Sequence, residues 1–189
     1  TKYIFLYCLL FICNAVTAQK VITGAEQMDR LLPILKGKRV ALVVNQTSKV
    51  GETHLLDTLL AAHIQIKKVF APEHGFRGDA DAGETIRNGK DTRTGIPILS
   101  LYGKNKKPTA TQLQDIDLIV FDIQDVGARF YTYISTMQYV MEACAENRKQ
   151  LVITDRPNPC DYVDGPVRQK NQKKFCGYAR HPPFYTVAL

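Results

Sequence analysis

No G-x-G-x-x-G follows the first β-branched run of this 189-residue chain, so a dinucleotide cofactor has no glycine turn for its pyrophosphate. No G-x-x-x-x-G-K-[ST] is present, which removes a P-loop, and no G-x-S-x-G, which removes an α/β-hydrolase serine elbow. No H-x-x-x-H or comparable pair fixes a metal geometry, although His74, Asp79, Asp81, Asp122 and Asp125 supply nitrogen and oxygen donors. Cys160, Cys176 and His181 lack a fourth ligand and the paired short spacings of a zinc site. The lysine runs at Lys104, Lys106 and Lys107 and at Lys170, Lys173 and Lys174 carry no interleaved aromatics, which argues against nucleic acid. There is no internal repeat. The expectation is a protein without metal or cofactor.

What is present begins with a leader. Lys2 precedes an almost wholly apolar Tyr3–Ile12, and Val16-Thr17-Ala18 offers small residues ahead of Gln19. This is the pattern of a secretory signal peptide, residues 1–18; its apolar run is short for a membrane span, with an uncleaved anchor as the alternative. Export to the periplasm or the cell exterior is expected, with no stable membrane insertion after cleavage. Removing one lysine and no acid takes the net charge from +7 to +6, a balance that suits an anionic wall polymer. Of the remaining cysteines, Cys144 reads as a small buried apolar residue, and Cys160–Cys176 is the candidate disulfide.

Helix and strand patterns then alternate. Residues 25–35 have helical spacing, with Pro33 and Gly37 marking the end, and 55–63 form a second helix. Residues 39–45, 66–71, 96–101, 118–122 and 151–155 read as strands buried on both faces. Residues 111–115 make a single helical turn. Residues 131–147 form a long helix with a stripe at Ile134, Met137, Val140 and Met141. The fold class is therefore α/β: a Rossmann-like parallel sheet with helices on both faces, in a domain spanning 19–166. Residues 167–189 read as a tail or the start of a second domain. Crossover connections bring the strand ends Asn45, Pro72-Glu73-His74, Tyr102, Asp122 and Asp155-Arg156 to one edge, where open α/β sheets bind ligands.

Two polar stretches leave that edge. In VFAPEHGFRGDAD (69–81) a strand breaks at Pro72, and Glu73 and His74 follow on a backbone loosened by Gly75 and Gly78. Glu73 stands between Phe70 and Phe76, whose rings would desolvate it, the condition a general acid near neutral pH requires. FDIQDVGARFYTY (121–133) brings Asp122, Gln124, Asp125, Arg129, Tyr131 and Tyr133 into one short span. Amides and carboxylates beside aromatic rings suit a sugar. Residues 72–95 read as one long polar loop.

The segments APEHGFRGDADAGE (71–84), TGIPILSLYGKNKKPT (94–109), FDIQDVGARFYTYISTM (121–137) and TDRPNP…DGP (154–166) together resemble the exo-β-N-acetylmuramidase family. The likeness covers residues 20–189 in order. It implies a Rossmann-like domain facing a carboxy-terminal domain across a cleft, with that second domain missing or barely begun here. It implies a glycoside hydrolase releasing N-acetylmuramic acid from non-reducing ends of peptidoglycan fragments, with Glu73 as the acid and Glu84 its rival. Further site candidates are His74 and Asp122 for catalysis, and Asn45, Arg77, Gln124, Asp125, Arg129 and Tyr131 for substrate. Asp122 or Asp125 would activate water or stabilise positive charge, and Arg77 or Arg129 would hold the lactyl carboxylate. The alternatives are an inactive remnant that at most binds wall glycan, and a metal-dependent hydrolase.

Overall fold

The structure is a computed structural model and describes residues 21–73, 75–77, 88–103, 105–128 and 131–160. The signal-peptide pattern, His74, Glu84, Arg129, Cys176 and the 167–189 segment lie outside the described residues. In chain order the elements are α1 (Met28–Leu35), β1 (Val40–Val44), β2 (Lys49–Val50), β3 (Thr53–His54) and α2 (Leu55–Ala61). Then come β4 (Ile66–Ala71), β5 (Gly89–Lys90), β6 (Pro97–Ser100), α3 (Ala110–Leu113), β7 (Leu118–Asp122), α4 (Tyr133–Glu146) and β8 (Gln150–Ile153).

Six strands form one sheet in the order β5-β6-β4-β1-β7-β8. All neighbours are parallel except β5, which runs antiparallel to β6. Counting only the parallel strands in chain order gives 3-2-1-4-5, the Rossmann arrangement, whose reversal point lies between β1 and β7. The run VALVV of β1 is buried throughout, because helices cover both of its faces. Val40, Leu42 and Val44 pack with Leu31 and Leu35 of α1 and Leu55, Leu56 and Leu59 of α2. Ala41 and Val43 face the other way, onto Leu113 of α3 and Val140, Ala143 and Cys144 of α4. Period-two alternation along a strand is what splits its side chains between two cores.

Four details depart from the sequence reading. Helix α1 starts at Met28, not at residue 25, because Gly24–Glu26 forms a separate 3-10 turn. It ends at Leu35 as expected, with Pro33 on the solvent side, where the carbonyl left without a donor can meet water. The 72–95 stretch contains β5, which pairs with β6 through Gly89 and Lys90. Two exposed residues give no apolar pattern to read. The β2–β3 hairpin escaped for the same reason. In α4 the buried residues are Tyr133, Ser135, Thr136, Val140, Ala143 and Cys144, while Ile134 is 37% exposed. The register that packs is the one with the unbroken 3.6 period, not the one with the most large aliphatics. Cys144 is buried among these residues, and burial pushes its thiol up to about 11.

The candidate active site at the carboxyl edge

The ends of β1, β7 and β8 are stitched together by short side chains. Asn45 turns the chain after β1: its Oδ1 accepts from Thr47 N at 2.9 Å and from Thr47 Oγ1 at 2.6 Å. Ser48 Oγ donates to the Asp122 carbonyl, closing the gap between β1 and β7. Gln124 N donates to Thr47 Oγ1 at 3.1 Å, and the Gln124 amide donates to the Pro157 carbonyl at 3.0 Å. Arg156, just past β8, sends Nε to Asp122 Oδ1 at 2.7 Å and Nη2 to Asp122 Oδ2 at 2.9 Å. The same Nη2 reaches the Lys49 carbonyl at 2.7 Å. This network holds the switch-point crevice rigid on one side.

His54 buttresses the floor. Its Nε2 lies 2.9 Å from the Asn45 carbonyl and its Nδ1 accepts from Leu56 N at 3.2 Å, capping α2. These partners require a neutral ring protonated on Nε2. Burial lowers its pKa below the ordinary 6.5, against the pull of the Asn45 carbonyl. A histidine held neutral in the fold gives stability that is complete above the unfolded value and is lost as pH falls through the folded one. The protein is therefore expected to lose stability on acidification below 6.5. His54→Asn, which keeps a capping side chain, should flatten that part of the melting-temperature profile. An unchanged slope in the variant would refute the assignment.

Glu73 stands on the other side, in the turn after β4. Pro72 ends that strand, and the turn closes with Gly75 N on the Pro72 carbonyl at 3.1 Å, Gly75 adopting φ +78°. Glu73 Oε2 accepts from Thr132 Oγ1 at 2.9 Å. The Tyr102 phenol, which leaves the end of β6, also bonds this carboxylate, and that bond raises the phenol's pKa. Thr132 occupies the N-cap position of α4, yet its hydroxyl makes no cap bond and goes to Glu73 instead. An N-cap hydroxyl commonly contributes about 1 kcal/mol to its helix. Diverting one to a carboxylate is the kind of local rule-breaking found at functional sites.

The phenylalanines flanking Glu73 do not enclose it together. Phe70 enters the core on the α4 side and Phe76 the core on the α1 side, where it meets the His54 ring edge-on at 4.7 Å. Phe76 lies beyond the turn that follows β4, which carries its ring to a different core from that of Phe70.

Other expected site residues fall differently. Arg77 bonds Asp91 through Nε–Oδ1 and Nη2–Oδ2, both 3.0 Å, lies 3.5 Å from Asp57, and stacks over Phe76 at 4.6 Å. Asp91 is held down at about 2 by that guanidinium. The fork that a ligand carboxylate would need is taken, which corrects the Arg77 assignment. Asp122 is fully buried with both oxygens on Arg156, an arrangement for holding the crevice rather than for activating water. Asp125 Oδ1 caps Gly127 N at 2.7 Å. The Gln124 amide also donates to the Asp125 carbonyl at 2.7 Å. Tyr131 is 41% exposed at the mouth, its ring 6.3 Å from that of Tyr133. Among the described residues, no three His, Cys, Asp or Glu side chains gather as metal ligands.

Two site residues were not singled out from sequence: Tyr102 beyond its place as a strand end, and Thr132. The one available signal was position. Thr132 lies inside the polar span, directly ahead of the long helix.

Rossmann strand order, with polar strand ends gathered at the carboxyl edge, defines an α/β protein of the Rossmann-like class. The family model described as exo-β-N-acetylmuramidase NamZ, N-terminal, matches residues 40–189, and the chain belongs to that family. It is 45% identical over 166 residues to the peptidoglycan β-N-acetylmuramidase NamZ of Bacillus subtilis (strain 168). That match covers 84% of this chain and 39% of the relative. A crystal structure of a DUF1343 family protein from Bacteroides fragilis superposes with TM-score 0.68 at 46% identity, over 80% of this chain and 39% of that one. A second from the same organism gives 0.65 at 44% identity, over 74% and 36%. The chain thus spans about two fifths of the relatives it matches.

Proposed function

We propose that this chain carries the Rossmann-like half of an exported glycoside hydrolase that releases N-acetylmuramic acid from non-reducing ends of peptidoglycan fragments. The observation that carries the reading is Glu73, held half-buried at the crevice by Tyr102 and Thr132, in a chain similar to a peptidoglycan β-N-acetylmuramidase. Glu73 protonates the leaving glycosidic oxygen as positive charge develops on the sugar ring. Tyr102 and Thr132 fix its rotamer. Tyr131 offers an exposed ring for the sugar face. With Arg77 engaged internally, Arg129 is the sequence candidate for the lactyl carboxylate. The leader pattern supports export to the wall that holds this substrate.

The test is turnover of a chromogenic N-acetylmuramide by the protein, beside the matching N-acetylglucosaminide, with and without chelator. Chelator-insensitive release from the muramide alone is expected. Loss of release with chelator would favour the metal-dependent alternative. Equal release from both sugars would remove the muramoyl assignment.

A further inference from the structure

The turn that carries Glu73 has one leg held by backbone and one held by side chains. Upstream, Ala71 ends β4 paired with Ser100 of β6, and its carbonyl accepts from Leu101 N at 2.8 Å. Downstream, Phe76 and Arg77 make no backbone hydrogen bond among the described residues. What fixes this leg is therefore the two side chains. The Phe76 ring is buried and meets the His54 ring edge-on at 4.7 Å. Arg77 closes over it, the guanidinium carbon 4.6 Å from the ring centre.

Arg77 is also a junction. Its Nε and Nη2 fork onto Asp91 Oδ1 and Oδ2, both at 3.0 Å, and Nη2 lies 3.5 Å from Asp57 Oδ1 in the first turn of α2. The acceptor is itself fixed. Asp91 Oδ2 accepts from Thr94 N at 3.2 Å and from Thr94 Oγ1 at 2.6 Å, and the Asp91 side chain is 3% exposed. One guanidinium thus joins the Glu73 turn to the loop after β5 and to α2. A charge pair taken out of water adds little net stability; what it supplies is the single geometry that a bidentate fork allows. This clasp stands four residues after Glu73, whose carboxyl is pinned at its tip by Thr132 Oγ1 at 2.9 Å. Together the two anchors set where the carboxyl can point.

We propose that Arg77 is a positioning residue for Glu73: its clasp on Asp91 and Asp57 sets the turn that aims the carboxyl at the glycosidic oxygen. This rests on the glycosidase reading above and gives Arg77 a part in the reaction that needs no contact with substrate. A clasp that only closed the chain between 77 and 91 would serve folding and leave the aim of the acid untouched.

Arg77→Lys keeps the charge and loses the fork. It is expected to lower kcat on an N-acetylmuramoyl disaccharide by about tenfold to a hundredfold, the scale of loss from a misaimed group. KM should hold, and an aryl muramide with a strongly acidic phenol, which needs little protonation, should be nearly unaffected. Asp91→Asn breaks the same pair from the far side and should show the same split. Added to Glu73→Gln, Arg77→Lys should cost nothing more, because both act through one proton. Full kcat in both single variants, equal losses on the two substrates, or losses that multiply with Glu73→Gln would overturn the proposal. If the parent does not turn over, the glycosidase reading fails for this chain, and hydrogen exchange of the Gly75 amide, which closes the turn on the Pro72 carbonyl, still reads the clasp. Exchange faster by about tenfold in Arg77→Lys supports it, and an unchanged rate sinks it.

Discussion

Glu73→Gln is expected to cut kcat on an N-acetylmuramoyl disaccharide by about a thousandfold, inside the range for a positioned general acid. The amide is nearly isosteric, and its carbonyl can still accept from Thr132 and Tyr102, so the site should stay assembled. What disappears is the proton. The loss should therefore depend on the leaving group: large for a sugar alcohol, which departs poorly unprotonated, and much smaller for an acidic phenol, which needs little help. Steady-state kinetics on the disaccharide and on an aryl muramide with a strongly acidic phenol would show this split. A loss that is equal on both substrates would assign Glu73 to nucleophilic or electrostatic work instead. Retained activity on the disaccharide would move the acid to Glu84, its rival in the sequence.

Arg156→Ala should destabilise the fold by about 3–5 kcal/mol, the usual consequence of leaving one partner of a buried pair alone. The Arg156 side chain is 8% exposed and the Asp122 side chain not at all. The guanidinium also ties β8 to the Lys49 carbonyl. Burial pushes the Asp122 carboxyl above the ordinary carboxylate range, and Arg156 draws it back. Without Arg156 the carboxyl is raised further. A carboxyl whose folded pKa exceeds its unfolded one gives stability below the unfolded value and loses it as pH rises through the folded one. The deficit of Arg156→Ala should therefore be smallest near pH 4, where burying a protonated acid costs less, and grow toward neutrality. Urea midpoints of parent and variant across that range measure it. A deficit that is small at neutral pH would mean that water reaches Asp122 and that the crevice floor is not the rigid network described above.

The parallel strands were legible because their residues are apolar on both faces, a pattern that only a covered sheet satisfies. Val40–Val44 and Leu118–Asp122 could be read as strands from their own apolar runs. Glu73 was legible too, since a Pro-Glu-His-Gly run at a strand end breaks regular structure and supplies a titratable group together. Partnerships were not legible. Nothing local to Arg77 says that it bonds Asp91, fourteen residues on, and nothing local to Asp122 says that Arg156 occupies it. Ile134 is the larger aliphatic, but Tyr133 has the phase that packs.

The sequence by itself determined which segments are strands and helices, the edge where their polar ends gather, and the family to which they belong. Each of these rests on periodicity or on contiguous motifs, which the chain writes in order. The tertiary structure alone decided which polar residues stand open to a ligand and which are spent on one another. Arg77 and Asp122 went to internal ion pairs, while Thr132 and Tyr102 came to Glu73 from 59 residues on and from the end of a neighbouring strand. Ion pairs and hydroxyl bonds of this kind form between groups distant in the chain, and only the folded sheet sets the distances that select them.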